Sequence, residues 1–501
     1  MNILKKMMAA SAIVVALAAP AFADVTVRIT GSTAYRTATN TAISNVFAAT
    51  GNTLTNHGYA GTSDTGASIA VWRGTISGVT GTVIVKTSLQ GSVGGVQTLD
   101  QNKTRTDWGQ DTWSGSGQTG TDGTTTTADV AMSDSFQAST IYTSTALTDK
   151  VIGVIGFVWT KGGAAQGTGS TPPAGSWTNM SSLNARSFLG AKTSLQLFTG
   201  NTLDAGKFAV AMGRDEDSGT RLEAFAVSGY GILTKPLQYE TNYTAASTVV
   251  SRLFVQNGGG AGYTSAPTVS FSASGGSGAA ATALINSGKV VGFTLTSGGS
   301  GYTATPTVTL SSAGTGSTSA ATARAIRGPY IAPYPPQTVL GDFQAIGTSG
   351  YASGGTLATQ ANNVASLTTT VYTSLGVADS TLGAGKFYPC TYVSKGDNNS
   401  VNSGFNALSY DGVFYVGDGT GTNNTEHPDV IRNGTYSFWS FEHLMYRTSD
   451  VGSDKATVAD LIATELKVPA TSATSGISLT TMTVSRATDG AAITLGAPAF
   501  P

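Results

Sequence analysis

Short apolar runs alternate along most of the chain with segments of helical spacing and with turns rich in Gly, Ser and Thr. Residues 25–29, 82–86 and 151–158 are apolar or alternating runs bounded by turn residues, a pattern that predicts strands. Residues 38–49 have helix-compatible spacing, and residues 222–227 predict the start of another helix. This mixture of strands and helices indicates the α/β class.

Residues 431–447 predict a turn followed by an aromatic-rich helix. We expect Phe438, Phe441 and Met445 in this helix to be core contacts.

One zone breaks this pattern. Residues 262–269 (Gly-Tyr-Thr-Ser-Ala-Pro-Thr-Val) recur as residues 301–308 (Gly-Tyr-Thr-Ala-Thr-Pro-Thr-Val), and residues 289–295 between them predict a strand. An internal repeat without helix signals predicts a small all-β module at 251–330, inserted into the α/β host. The repeat resembles the Gly-Tyr-x-x-x-Pro-x-Val repeats of large bacterial surface proteins, a resemblance that implies no defined activity.

The N-terminus has the pattern of an export signal. Lys5 and Lys6 precede an apolar stretch at 7–19, and Ala21-Phe22-Ala23 is a small-x-small cleavage pattern. We expect residues 1–23 to be a signal peptide, so that the mature chain begins near Asp24 in the periplasm or at the cell exterior. No Cys follows the apolar stretch, which argues against a lipid anchor, and we expect no membrane span in the mature chain.

Composition excludes several classes of function. Lys and Arg number 27 against 28 Asp and Glu, so the net charge of −1 indicates neither nucleic-acid nor anionic-membrane binding. Cys390 is the single cysteine, which excludes an intrachain disulfide framework and a Cys-based metal site; it is either a buried small hydrophobe or a reactive thiol. The three His lie in no recognisable triad setting, and no nucleophile elbow is present. We therefore expect no enzyme activity, no cofactor and no metal.

The most informative segment is the octet at 214–221, Arg-Asp-Glu-Asp-Ser-Gly-Thr-Arg. It joins a predicted buried strand at 207–212 to the predicted helix that follows, so free backbone N–H groups and the positive end of the helix dipole meet at Ser-Gly-Thr. Gly219 allows close backbone approach, and the Ser218 and Thr220 hydroxyls with the Arg214 guanidinium complete a cradle for a tetrahedral oxyanion. The alternative is an ordinary helix N-cap, which needs no ligand.

Three further turns occupy the same kind of position. Residues 30–34 (Thr-Gly-Ser-Thr-Ala) and 91–95 (Gly-Ser-Val-Gly-Gly) each end a predicted strand and open a predicted helix, and Asp134 follows a short apolar strand. In open α/β sheets, ligands bind beyond the carboxyl ends of the strands. The shared placement of these turns predicts a single anion site.

These motifs resemble those of the phosphate-binding proteins of bacterial high-affinity phosphate ABC importers, which belong to the type II periplasmic binding-protein group. The correspondence includes Gly31-Ser32-Thr33, residues 91–95, Met132-Ser133-Asp134 and the spacing Arg-x-x-x-Ser-Gly-Thr at 214–220. Residues 350–355 resemble a glycine-rich segment of the family. The resemblance covers roughly 24–250 and 340–465. This chain departs from the family at Asp217, where Gly is frequent.

The resemblance implies a two-lobed type II periplasmic binding-protein fold with the small all-β repeat module inserted. It also implies a division into a signal peptide (1–23), lobe 1 (24–148, with a polar loop at 101–127, and 386–501), lobe 2 (149–250 and 331–385) and the module (251–330). The implied phosphate ligands are Thr33, Ser92, Asp134, Arg214, Ser218, Gly219 and Thr220, with Ser32, Ala34 and Arg36 as further candidates.

Asp134 has a special role in this scheme, because a carboxylate beside an anion is favourable only as the acceptor of a proton on the ligand. Hydrogen phosphate has such a proton and sulfate does not. The alternative is a helix N-cap. We expect an exported solute-binding protein that captures inorganic phosphate, or a similar oxyanion, for the permease of an ABC importer. The second hypothesis is a surface structural or adhesive protein that retains the fold.

Overall fold

The computed structural model describes residues 23–162, 177–242, 245–311, 316–334, 350–363, 370–383, 385–400, 406–418 and 424–498. The predicted signal peptide therefore lies outside the described residues, apart from Ala23. The chain is a mixed α/β protein built around a large central sheet, which confirms the predicted class. Within the ranges given above, no helix has both the length and the apolar character that crossing a bilayer requires.

The strands are β1 (Val25–Gly31), β2 (Thr53–Tyr59), β3 (Ile69–Thr75), β4 (Val83–Ser88), β5 (Val130–Ser133), β6 (Leu147–Lys161), β7 (Asn179–Met180), β8 (Thr193–Ser194), β9 (Phe208–Ala211), β10 (Tyr239–Asn242), β11 (Val250–Gln256), β12 (Thr268–Phe271), β13 (Ser277–Asn286), β14 (Lys289–Ser300), β15 (Val308–Ser311), β16 (Thr322–Arg327), β17 (Tyr330–Pro333), β18 (Phe387–Ser394), β19 (Asn406–Ala407), β20 (Ser409–Tyr410), β21 (Trp439–Arg447), β22 (Val484–Ser485) and β23 (Thr494–Leu495). The α-helices are α1 (Arg36–Ala48), α2 (Ser92–Gln101), α3 (Ser182–Gly190), α4 (Gln196–Thr199), α5 (Gly219–Val227), α6 (Gly354–Asn363), α7 (Lys395–Ser400), α8 (Pro428–Arg432), α9 (Asp454–Leu466) and α10 (Pro469–Ser472).

The central sheet runs in the order β2-β3-β4-β1-β5-β21-β6-β18-β9-β8, and β19 also pairs with β6. Strands β4, β1 and β5 are mutually parallel, and so are β9 and β18. Between these two groups, β21 is antiparallel to both β5 and β6, and β18 is antiparallel to β6. The sheet therefore contains two parallel groups of opposite direction.

The long strand β6 belongs to both halves of this sheet. Its residues 147–156 pair with β21, and its residues 157–161 pair with β18. Strand β21 pairs with the first part of β6, and strand β18 pairs with the last part. The group β4-β1-β5 therefore lies toward the start of β6, and the group β9-β18 lies toward its end. Their directions are also opposite, so both groups have their carboxyl ends at the middle of β6. The fold thus brings the turns that follow these strands toward one junction.

The core of this sheet is apolar and covers both halves. The strand residues Val27, Ile29, Val154 and Phe157 are fully buried, and helix α1 contributes the buried face of Ala38, Ala42 and Ile43. The spacing of these helix residues is the i, i+4 pattern expected of an amphipathic helix. Cys390 is fully buried in the same core, and burial raises the pKa of its thiol, so the buried alternative is confirmed.

Among the described residues of 250–327, the regular secondary structure consists of β-strands and one short 3₁₀ turn at Asn257–Gly259. Strands β14-β13-β12-β15 form a separate antiparallel sheet, and β11 pairs with β16. The tyrosines of the two repeats are both buried and have the same role. The Tyr263 hydroxyl accepts the Ala321 backbone N–H at 2.8 Å, and the Tyr302 hydroxyl accepts that of Ala279 at 3.3 Å.

The sequence pattern at 431–447 predicts a turn followed by an aromatic-rich helix, and this prediction is wrong. The structure has the short helix α8 and then strand β21. Eight of the nine residues of β21 are buried, because the strand lies between β5 and β6 with both faces covered. A strand buried on both faces loses the alternation that distinguishes it from a helix. The predicted core positions Phe438, Phe441 and Met445 are fully buried, as expected.

Candidate functional site

The turns after β1, β4 and β5 are bonded directly to one another. The Ser32 backbone N–H donates to the Met132 carbonyl, and the Gly91 N–H donates to the Gly31 carbonyl, each at 2.8 Å. Gly31 has φ +114°, and a Cβ there would lie 1.9 Å from the Met132 carbonyl oxygen. Only glycine therefore allows these strand ends to approach so closely.

The octet enters the same junction from the other half of the sheet. Strand β9 ends at Ala211, and Ser218 is the N-cap of α5, its hydroxyl accepting the Arg221 N–H at 3.3 Å. The Gly94 N–H, in the first turn of α2, donates to the Asp217 carbonyl at 3.1 Å. The N-termini of α2 and α5 are thus in contact. The N-cap alternative for Ser218 is correct as local geometry, and it leaves a ligand role open.

Gly219 is the point of closest approach between the halves. A Cβ on Gly219 would lie 1.6 Å from Oδ1 of Asp134 and 2.6 Å from the Ser135 hydroxyl. The first residue of α5 therefore packs directly on the carboxyl group that follows β5. Both Ser218 and Thr220, which flank Gly219, are also buried.

Asp134 is buried, with 2% of its surface exposed, and its Oδ1 has no hydrogen-bond partner among the described residues. Burial raises the pKa of its carboxyl group to about 6, against the opposing effects of a hydrogen bond from Ser92 and the charge of Arg214. Ser92, Asp134, Arg214 and Gly219 are therefore neighbours, although they come from three separate parts of the chain. An orphaned carboxyl oxygen inside a protein is costly unless a further group bonds to it.

The guanidinium of Arg214 is held by backbone carbonyls rather than by a direct carboxylate pair. Its Nε donates to the Tyr351 carbonyl at 3.0 Å and its Nη2 to the Ala352 carbonyl at 2.8 Å. The side chain is 2% exposed. The glycine-rich segment singled out in the sequence thus orients Arg214 through neutral acceptors.

The carboxyl group of Asp397, which follows β18, lies near the guanidinium of Arg214. Its carboxylate lies against Gly354, where a Cβ would be 2.0 Å from Oδ2 and 3.4 Å from Nη1 of Arg214. The charges of Arg214 and Arg36 both lower the pKa of Asp397, but burial dominates and raises it. Arg36 also donates to the Ser68 hydroxyl at 3.0 Å. Arg36, a further candidate from the sequence, therefore lies close to the junction.

The remaining candidates, Ser32, Thr33 and Ala34, lie in the turn between β1 and α1. Ser32 is fully buried, and its hydroxyl donates to Oε2 of Glu442 at 3.2 Å. Thr33 and Ala34 follow it at the start of α1 and are partly exposed, and Ala34 packs on the main core. The acidic residues Asp215, Glu216 and Asp217 are also partly exposed. Burial raises the pKa of Asp215 to about 7, and the charge of Arg214 opposes that increase.

Sequence reasoning missed Glu442 and Asp397, because neither lies in a recognisable motif. Glu442 is in the middle of β21, which the pattern assigns to a helix, and Asp397 lies in the first turn of the short helix α7 after β18. A buried Glu in an otherwise apolar and aromatic run was the available signal for Glu442. Among the described residues, no group of three or more His, Cys, Asp or Glu side chains is arranged to hold a metal.

A cavity of about 470 Å³ lies elsewhere, between β11, β14 and the end of β17. Its walls include Phe254, Phe293 and Tyr330, with Arg252 paired to Glu240 at one side. None of the site residues predicted from the sequence lines it.

No family model matches the sequence, and no curated protein matches it. Among solved structures, the chain is similar to an ABC-type phosphate transport receptor from Vibrio cholerae, with 9% identity, coverage of 90% of this chain and 99% of that one, and a TM-score of 0.36. It is also similar to PstS from Borrelia burgdorferi, with 9% identity, coverage of 91% and 98%, and a TM-score of 0.33. Because these TM-scores are below 0.5, we base the function on the contacts described above.

Proposed function

We propose that the protein is an exported solute-binding protein that captures phosphate, or a similar tetrahedral oxyanion, at the junction of the two sheet halves. The ligands are Ser92, Arg214, Ser218, Gly219 and Thr220 as donors, with Thr33 as a further donor. The bound ion is delivered to the permease of an ABC importer.

The observation that carries this proposal is the convergence of two helix N-termini on Asp134 and Arg214. Both ends supply backbone N–H groups without intrahelical partners and a partial positive charge. Arg214 adds a formal charge that backbone carbonyls orient without neutralising it. Charge-assisted hydrogen bonds contribute about 1.5–3 kcal/mol each, so a few of them suffice for micromolar or tighter binding.

Asp134 supplies the discrimination between oxyanions. Its orphaned Oδ1, packed against Gly219, is an acceptor placed beside the anion donors. A ligand that carries a proton donates to this oxygen, whereas sulfate leaves it facing another negative charge. A site of this kind rejects the unprotonated analogue by orders of magnitude.

Isothermal titration of the chain without its predicted signal peptide tests the proposal. We expect binding of phosphate and arsenate with micromolar or tighter dissociation constants, and sulfate binding at least roughly a hundredfold weaker. Absence of heat with both phosphate and arsenate would remove the proposal. Phosphate binding without discrimination against sulfate would retain the anion site but remove the role of Asp134.

A second candidate is a surface structural or adhesive protein, which the separate antiparallel sheet at 268–311 favours. Fractionation separates the two candidates, because a transport component is released with the periplasm and an adhesin remains with the cell envelope. Permease and ATPase genes beside the coding gene favour import, and surface-protein genes favour adhesion.

A further inference from the structure

Glu442 is a buried carboxyl group that the proposed phosphate site does not yet use. It lies in β21, whose antiparallel pairing with β5 runs as far as His443 opposite Ser133. Asp134 immediately follows Ser133, and its charge contributes to the raised pKa of Glu442, which shows that the two carboxyl groups are close to each other. Both carboxyl groups therefore belong to the same small region.

The surroundings of Glu442 provide a partner for one of its oxygens only. Oε2 accepts from the Ser32 hydroxyl at 3.2 Å, while Oε1 is buried without a hydrogen-bond partner among the described residues. The residue is fully buried. Oδ1 of Asp134 is orphaned in the same way. Two orphaned oxygens on neighbouring carboxyl groups are explained by a polar ligand that bonds to both of them.

The charged and titratable groups around Glu442 do not favour a carboxylate. Asp134 lies near it in the turn after β5, and Tyr35, the N-cap of α1, is close enough for the negative charge of Glu442 to raise the pKa of Tyr35. Two nearby groups are otherwise engaged, since His443 bonds to Asp149 at 2.9 Å and the Arg486 guanidinium pairs with Glu223. Asp489 accepts from the Ser440 hydroxyl and adds further negative charge to the region. Arg214 also lies near Asp134, and its positive charge lowers the pKa of Asp134.

We propose that Glu442 is a further ligand-binding residue, a neutral carboxylic acid that donates a hydrogen bond from Oε1 to the bound oxyanion while Asp134 accepts one from it. The inference rests on the proposed function. Burial and the charge of Asp134 raise the pKa of Glu442 well above its ordinary value of 4.5, and the Ser32 hydrogen bond only partly opposes them, which is consistent with a donor acid. Such a pair selects ligands that offer both an acceptor oxygen and a hydroxyl, as hydrogen phosphate does.

Two substitutions separate donation from packing. Glu442→Gln retains a donor of the same shape that cannot ionise, and Glu442→Met removes the donor but retains the volume. At pH 6 we expect the Gln variant to bind phosphate within about threefold of the original chain and the Met variant at least tenfold more weakly. Glu465→Gln, in α9 and far from the junction, is the control and is expected to bind normally. A Met variant that binds as tightly as the original chain would overturn the proposal.

The protonation state is tested independently of any ligand. If folded Glu442 is neutral, unfolding releases a proton once the pH exceeds about 4.5, the ordinary value of this group. The stability of the original chain should then fall relative to that of Glu442→Gln as the pH rises from that value toward the raised folded pKa. A difference in melting temperature that does not change between pH 4.5 and 8 would show that Glu442 is ionised, and would overturn the donor role.

These outcomes distinguish the inference from the function on which it rests. If the original chain binds phosphate but Glu442→Met does so equally well, only the role of Glu442 fails. If the original chain binds neither phosphate nor arsenate, the proposed function fails and the ligand role of Glu442 fails with it.

Discussion

At the level of single residues, the guanidinium of Arg214 is oriented by the carbonyls of Tyr351 and Ala352. These hydrogen-bond acceptors are neutral, unlike the carboxylate of Glu223 that pairs with Arg486 elsewhere in the core. A guanidinium whose hydrogen bonds go to neutral acceptors retains more of its capacity to pair with an anion. This difference between two buried arginines makes Arg214 the stronger candidate for ligand binding.

Replacement of Arg214 by Ala is expected to abolish measurable phosphate binding. Loss of one or two charge-assisted hydrogen bonds, at about 1.5–3 kcal/mol each, weakens binding by roughly tenfold to 20,000-fold. Titration calorimetry measures the effect, and Arg186→Ala is the matched control, because the Arg186 guanidinium donates to the carbonyl of Ser228 at the C-terminal end of α5, the end opposite Ser218. Equal losses in both variants would show that Arg214 has no specific role.

Replacement of Asp134 by Asn is expected to weaken phosphate binding and to admit sulfate. The amide can donate to an oxyanion and no longer repels an unprotonated one, while it accepts the ligand proton less well. We expect the ratio of the sulfate and phosphate dissociation constants to fall by at least roughly tenfold. Competition titrations at constant pH measure this ratio. Unchanged rejection of sulfate would contradict the discriminating role.

At the level of elements, the N-terminus of α5 is packed against the turn after β5 with no room for a side chain at Gly219. The octet Arg-x-x-x-Ser-Gly-Thr therefore needs its glycine for space rather than for a positive φ, since Gly219 is in the first turn of a regular helix. Close approach of this kind is the condition for a backbone N–H to reach a ligand.

Gly219→Ala is expected to destabilise the protein by about 1–3 kcal/mol and to weaken phosphate binding, because the new methyl group would overlap Oδ1 of Asp134. Chemical denaturation and titration calorimetry measure the two effects. Gly206→Ala is the control, since a Cβ there meets nothing within 4 Å. Normal stability and binding in Gly219→Ala would mean that α5 and Asp134 are not in contact in solution.

The secondary structure could be predicted where the sequence has a local signal. Helices α1, α2 and α5 and strands β1, β4 and β9 agree with the patterns at 38–49, 91–99, 222–227, 25–29, 82–86 and 207–212. Strand β21 could not be predicted, because burial on both faces removes the alternation and its aromatic residues suit either type of element. Glu442 was missed for the same reason, since its importance depends on the pairing of β21 with β5.

At the level of the whole molecule, β6 connects the two halves that supply the site. Under the proposed function, donors come from the β4-β1-β5 group and from the turn after β9, so a bound ion would contact both halves at once. Such a ligand would stabilise the junction, and the transport mechanism that corresponds to it is two-lobed closure by hinge motion. The two-lobed organisation and its boundaries remain predictions from the sequence.

Removal of residues 251–326 tests the predicted independence of the repeat module. Val250 and Arg327 are register partners in the β11–β16 pair, so a short Gly-Ser linker can join them. We expect the shortened chain to fold and to bind phosphate within about threefold of the original, because no predicted ligand lies in the deleted segment; circular dichroism and calorimetry measure both. A folded protein that has lost phosphate binding would contradict the predicted independence.

The sequence by itself determined the α/β class, the strand-turn-helix character of the octet and of the turns at 30–34 and 91–95, and the presence of the repeat. All of these depend on local spacing and on the conformational freedom of glycine, which are properties of residues close together in the chain. Tertiary structure alone decided that β6 spans both halves, that Gly219 packs on Asp134, and that Glu442 and Asp397 lie near Asp134 and Arg214. Those contacts depend on strand order and register, which arise from packing between residues far apart in the chain.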